Sequence, residues 1–205
     1  MGMKKTTIGV IIGILVLVAG FIGYLYYYTH IQHNYDAPCP NCSSFVYWPF
    51  EEYSCLHEGW YPKGQLTPYD SMAELKTTKK FTPCHFSGHG KIGKRLTKEW
   101  KEKQTFTEQT TCYRYNEGLK QDDPKSLILL YYFKPTLWEV NWIKGNQIGR
   151  SIFRCAPFRI QFIPEAEFQK RQEATLKYIK DNNRVSPEKY KMLEEQYRKT
   201  LGEGK

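Results

Sequence analysis

The apolar and polar positions along the chain fall into three regimes. From Ile8 to Tyr28 ("IGVIIGILVLVAGFIGYLYYY") no residue is charged. At about 1.5 Å rise per residue such a run, as a helix, just crosses a hydrocarbon core of ~30 Å. The middle of the chain then reads as strands. Residues 105–115 ("TFTEQTTCYRY") alternate, and 126–133 ("SLILLYYF") are continuously apolar, the pattern of a buried central strand. Residues 136–143 ("TLWEVNWI") and 150–163 ("RSIFRCAPFRIQFI") flank a turn at Gly145-Asn146. After Pro164 the period becomes helical. Phe168, Thr175, Leu176 and Ile179 share one side of a first helix; Ser186-Pro187 opens a second, with Tyr190, Leu193, Tyr197 and Leu201 on one face and Gly202 as its stop. Before the strands, Ser71 to Thr78 reads as a short helix with Ser71 and Glu74 as a capping box. Residues 45–70, aromatic and interrupted by Pro and Gly, read as short extended pieces and turns.

These elements predict an α+β fold: an N-terminal single transmembrane helix, then one disulfide-stabilised mixed domain with a mainly antiparallel sheet and two C-terminal helices. The expected divisions are a cytoplasmic tail (1–7), a signal-anchor helix (8–28), an extracytoplasmic sheet-rich domain (29–163) and a C-terminal helical segment of that domain (164–205). Lys4 and Lys5 precede the apolar run and no Lys or Arg recurs until Lys63, which orients the N-terminus to the cytoplasm. Val18-Ala19-Gly20 loosely resembles a cleavage site, but Phe21, Ile22, Tyr24 and Leu25 prolong the apolar run, so it reads as uncleaved. The outer compartment is a bacterial periplasm, or a cell surface or secretory lumen in a eukaryote. Gly9, Gly13 and Gly20 lie close to one helical face, a packing surface for a homodimer through the membrane helix.

Six cysteines, at 39, 42, 55, 84, 112 and 155, all follow the apolar run. In an oxidising compartment they are disulfide candidates whose pairing sequence does not resolve. Cys39-Pro-Asn-Cys42 is also the spacing of a thiol-disulfide redox centre, which needs a helix start to activate its first thiol. The residues that follow, "SSFVYWPF", read instead as a loop entering a strand. A zinc knuckle would need a second ligand pair, from Cys55 with His57 or Cys84 with His85, and no second C-x-x-C exists. Asn41-Cys42-Ser43 matches the N-glycosylation pattern.

Other motifs fail on context. "GHGKIGK" (88–94) has phosphate-loop spacing, but Arg95 stands where Ser or Thr would hold magnesium, and it reads as a basic loop. His85 and His89 are four apart, yet Gly88 and Gly90 oppose the helix that would align them. No catalytic constellation, metal site or cofactor motif emerges.

Charge adds a partner class. The formal net charge is +9, with the basic excess concentrated between Lys63 and Lys103. Lys79, Lys80, Lys91, Lys94 and Arg95, with the aromatic residues Trp48, Trp60 and Tyr61, form the expected partner-binding surface, suited to an acidic protein or an anionic envelope component. Nucleic-acid-binding signatures are absent. The expected function is that of a membrane-anchored extracytoplasmic binding or assembly protein, as an envelope-complex subunit or a periplasmic toxin-neutralising (immunity-type) protein. The alternative is a redox protein using Cys39 and Cys42.

Overall fold

The computed structural model describes residues 5–26, 40–83, 86, 98, 100–139, 146–155 and 160–202, with the backbone alone for 5–8, 11, 25–26, 40–44, 136–139 and 146–147. Helices α1 (Lys5–Tyr26), α2 (Pro40–Leu56) and α3 (Pro68–Ala73) come first, and a 3₁₀ turn (Glu74–Thr77) continues α3. Five strands follow: β1 (Tyr113–Tyr115), β2 (Ile128–Tyr132), β3 (Thr136–Glu139), β4 (Asn146–Arg154) and β5 (Ile160–Pro164). Helices α4 (Glu165–Asp181) and α5 (Pro187–Gly202) complete the chain.

Every strand pairing is antiparallel. β2 and β3 lie end to end along one edge of β4: Tyr131 pairs with Ile152, and Thr136 with Gly149. Five strands therefore make a four-lane meander, β1, then β2 with β3, then β4, then β5. The second lane is interrupted at Phe133 to Pro135, where proline cannot donate to a ladder. Every residue of β2 is buried. Its two faces meet different layers, as the two-residue side-chain period requires. Tyr115, paired with Leu130, meets Phe50 of α2 with ring centroids 5.4 Å apart, while Tyr131 meets Phe168 of α4 at 5.1 Å. Phe50, Tyr61, Phe81, Phe86, Trp100 and Phe106 make an aromatic cluster on the α2 side.

The helical stripes of α4 and α5 are as their spacing implies: Phe168, Thr175, Leu176, Ile179, Leu193 and Tyr197 are buried, and Ser186 Oγ accepts from the Lys189 amide at 3.3 Å. Between the layers, Asn116 and Gln172 exchange two side-chain hydrogen bonds of 2.8 Å. Gly149 permits the closest approach in the sheet, since a Cβ there would stand 2.1 Å from the Ile163 carbonyl oxygen.

Arg150 joins these layers. Its side chain is fully buried. Nε and Nη2 donate to the Glu165 carboxylate at 2.8–3.0 Å; Nη1 donates to the carbonyls of Tyr132 and Phe133, where the second lane breaks. Nη2 also reaches the Thr200 carbonyl of α5, and the guanidinium lies 4.7 Å from the Phe168 ring.

Several expectations are corrected. The segment read as extended pieces contains most of α2, whose Val46, Phe50 and Tyr53 form a buried stripe at helical spacing even though Pro49 lies inside the helix. The short helix begins earlier than Ser71: Thr67 is its N-cap, in a capping box with Asp70, and Pro68 stands at the first position. In the alternating stretch 105–115 only Tyr113–Tyr115 is strand, because the Thr107 to Thr110 region closes on itself through side-chain hydrogen bonds. Of the expected Gly145-Asn146 turn, Asn146 begins β4 and pairs with Glu139, and Gly145 lies outside the described residues.

The transmembrane anchor is corrected too. In α1, Val10, Ile12, Ile14, Leu15, Val16 and Leu17 are exposed, but side chains are described without a break only from Ile12 to Tyr24, roughly 20 Å of helix. Among the described residues no helix is long and apolar enough to cross a membrane. The single-pass localisation, with its cytoplasmic tail and extracytoplasmic domain, therefore has no structural support. Disulfide stabilisation falls likewise: Cys55 is exposed with a free thiol, Cys155 is buried with a free thiol, and Cys112 is buried in the core. Burial pushes the Cys155 thiol up to about 12. Cys39, Cys84 and the Cys42 side chain lie outside the described residues.

Arg150→Met is expected to lower the unfolding free energy by about 3 kcal/mol, since it strips three carbonyls and a carboxylate of their buried donor. Arg150→Lys should recover less than half of that, because an ammonium lacks the planar fork. Urea titration measures both, and a loss below about 1 kcal/mol for Arg150→Met would remove the residue from its joining role.

Candidate functional site

Three loops of unrelated sequence position meet beside Trp60. The first leaves α2 through Glu58 and Gly59, both at positive φ. The second follows β1, and an isolated antiparallel bridge between Trp60 and Lys120 joins the two, with the Gln121 amide donating to the Gly59 carbonyl at 2.8 Å. The third is the α4–α5 turn, reversed at Asn183, also at positive φ. Gly118 locks the third loop onto the second. Its φ is +93°, and an added Cβ would stand 2.8 Å from Val185 Cγ1 and 3.0 Å from Arg184 Cβ.

The junction gathers cations on one indole. Lys63 Nζ lies 3.1 Å from the Trp60 ring centroid, Lys120 Nζ 4.2 Å and Arg184 Cζ 5.3 Å. Ring quadrupoles attract cations, so each contact is individually favourable. Two carboxylates stand beneath. Asp123, nearly buried, accepts from Arg184 Nη2 at 2.7 Å, from the Tyr178 hydroxyl at 2.7 Å and from the Lys120 amide at 2.7 Å. Glu117, also nearly buried, accepts from Lys189 Nζ at 2.7 Å, the Gly64 amide at 2.9 Å and Ser71 Oγ at 2.9 Å.

The two acids thus neutralise Arg184 and Lys189. Among the described residues neither the Lys63 nor the Lys120 ammonium has an ion pair or hydrogen bond, and both side chains reach the surface. Partial burial, with Lys120 and Arg184 close by, holds the Lys63 ammonium below its ordinary range; Glu117 acts the other way. The hydrogen bond to Asp123 leads the causes that raise the Tyr178 hydroxyl. Such a site attracts an oxyanion and offers an aromatic face beside it.

Of the residues expected at a partner surface, Trp60 is here, half-buried, and the structure adds Lys63, from the basic stretch, beside it. Trp48 is half-buried elsewhere, with Lys80 Nζ 5.5 Å from its ring. Lys79 and Lys80 are exposed, and their amides donate to the Glu52 carboxylate at 3.2 Å. Tyr61 is fully buried against Phe50 and belongs to the core. Lys91, Lys94, Arg95, His85 and His89 lie outside the described residues. Gly9, Gly13 and Gly20 have no atom within 4 Å of an added Cβ. Among the described residues no group of three His, Cys, Asp or Glu side chains could hold a metal. Lys120, Arg184 and Lys189 escaped sequence reasoning, because nothing local links them to Trp60; the Gly118 and Asn183 turns were the one available hint.

No protein-family model, curated protein or solved structure matches this chain. Function must be argued from the site.

Gly118→Ala is expected to cost about 2 kcal/mol in urea unfolding, from strained φ and the clash with Val185. It should also alter tryptophan emission by shifting Arg184 relative to Trp60. An unchanged spectrum with undiminished stability would mean that the third loop is not held as described.

Proposed function

We propose that this chain is a binding protein that recruits an acidic protein partner through the Trp60 site. The observation that carries this reading is the pair of ammonium groups, Lys63 and Lys120, gathered on one indole with no ion pair of their own among the described residues. Bringing like charges together is unfavourable unless something opposite completes the set. The formal charge of +9 extends the field beyond the site and favours encounter with an acidic surface. Trp48 with Lys80 would add a second aromatic and cationic contact.

Capture of interacting proteins on the immobilised chain, at low and then rising salt, tests the reading. The bound fraction should be acidic and should be lost from Lys63→Glu/Lys120→Glu, with at least about a tenfold fall in affinity. Retained binding in that variant, with unchanged circular dichroism, would overturn the assignment of the site.

A second reading, thiol-disulfide exchange at Cys39 and Cys42, gains support because α2 begins at Pro40 where an extended segment was expected. A helix N-terminus lowers the pKa of a nearby thiol. Iodoacetamide labelling of Cys39 should then have its midpoint below about pH 7.5. A midpoint near 8.5, that of an ordinary cysteine, would remove this reading.

A further inference from the structure

We propose that the group seated at Trp60 is a phosphate monoester dianion, carried on a phosphorylated side chain of the partner. This rests on the acidic-partner reading and narrows it. Charge balance is the first ground. Four cationic side chains surround the junction; Asp123 holds Arg184 and Glu117 holds Lys189, each at 2.7 Å. Among the described residues no carboxylate pairs with Lys63 or Lys120, two positive charges, though the Glu117 that holds Lys189 also attracts Lys63. A carboxylate neutralises one of them, whereas a phosphomonoester, at about −1.5 to −2 near neutral pH, answers both.

Geometry is the second ground. Both ammonium groups lie within 4.2 Å of the same ring centroid. That holds them within roughly 7 Å of each other, so that one doubly charged oxyanion beside the ring is attracted by both.

Preorganisation is the third. The Trp60–Lys120 bridge, the Asp123 carboxylate that takes both the Lys120 amide and Arg184, and the Gly118 contact fix the bases of Lys120 and Arg184, and the Gly64 amide on Glu117 holds the backbone next to Lys63, before any ligand arrives. Only the lysine stems need order on binding, which limits the entropic cost. Arg184, already paired, serves as a fixed positive wall.

The test is calorimetric titration of the full chain at constant ionic strength with peptides Gly-Gly-X-Gly-Gly, where X is phosphoserine, glutamate or serine, and with inorganic phosphate. The phosphoserine peptide should bind at least about tenfold more tightly than the glutamate peptide. That preference should shrink in Lys63→Gln and in Lys120→Gln, and vanish in the double variant, whose circular dichroism should be unchanged since both side chains reach solvent. Equal affinity for the phosphoserine and glutamate peptides would overturn the phosphate assignment and leave the acidic partner standing. Inorganic phosphate binding as tightly as the phosphoserine peptide would replace a protein-borne phosphate with a free one. If neither charged peptide binds, the phosphate assignment and the partner reading fall together, and a preference that survives in the double variant would place the phosphate elsewhere.

Discussion

The buried guanidinium of Arg150 is the constraint on which the architecture turns. A fully desolvated cation is tolerable only when every donor is matched, and here a carboxylate, three carbonyls and an aromatic ring surround it. Those acceptors come from β2, the break after it, the first turn of α4 and the last turn of α5. Satisfying one side chain therefore requires all four pieces to be in place together. The interruption of the second lane at Pro135 frees backbone carbonyls that a continuous ladder would have used, and Arg150 takes them up.

With α4 and α5 held at one end by Arg150, their connecting turn is held at the other by Gly118. Between these two anchors the helices cannot slide along the sheet without breaking either the Glu165 pair or the Val185 contact. The functional proposal depends on this. Arg184 stands near Trp60 only because its turn is pinned, and Lys120 only because its backbone bridges to Trp60. Neither anchor contains a residue that touches the proposed ligand. The site's charge excess is thus carried by a rigid frame, with Asp123 and Glu117 buried as the fixed anions that keep two of the four cations close at hand.

Much of the sheet and both C-terminal helices were legible in advance. A continuously apolar "SLILLYYF" has few alternatives to a central strand, and the stripes of Phe168 to Ile179 and Tyr190 to Leu201 repeat at a period that only a helix buries on one side. Local rules misled where tertiary burial outweighed them. Pro49 argued against a helix, yet burying Val46, Phe50 and Tyr53 together against the aromatic cluster offsets the lost hydrogen bond. Cysteine arithmetic misled for another reason: an even count carries no information about distance, and Cys55 is exposed while Cys155 is buried.

What the sequence determined by itself was the period of each element, the chain-wide excess of positive charge and the presence of aromatic residues near basic ones. Those are properties of neighbours along the chain, where backbone geometry sets the spacing. Only the tertiary structure decided that Trp60 collects cations from positions 63, 120 and 184 while Tyr61, the next residue, turns into the core. Long-range juxtaposition depends on which faces pack and how turns close, and here a glycine at positive φ and a buried arginine made that choice.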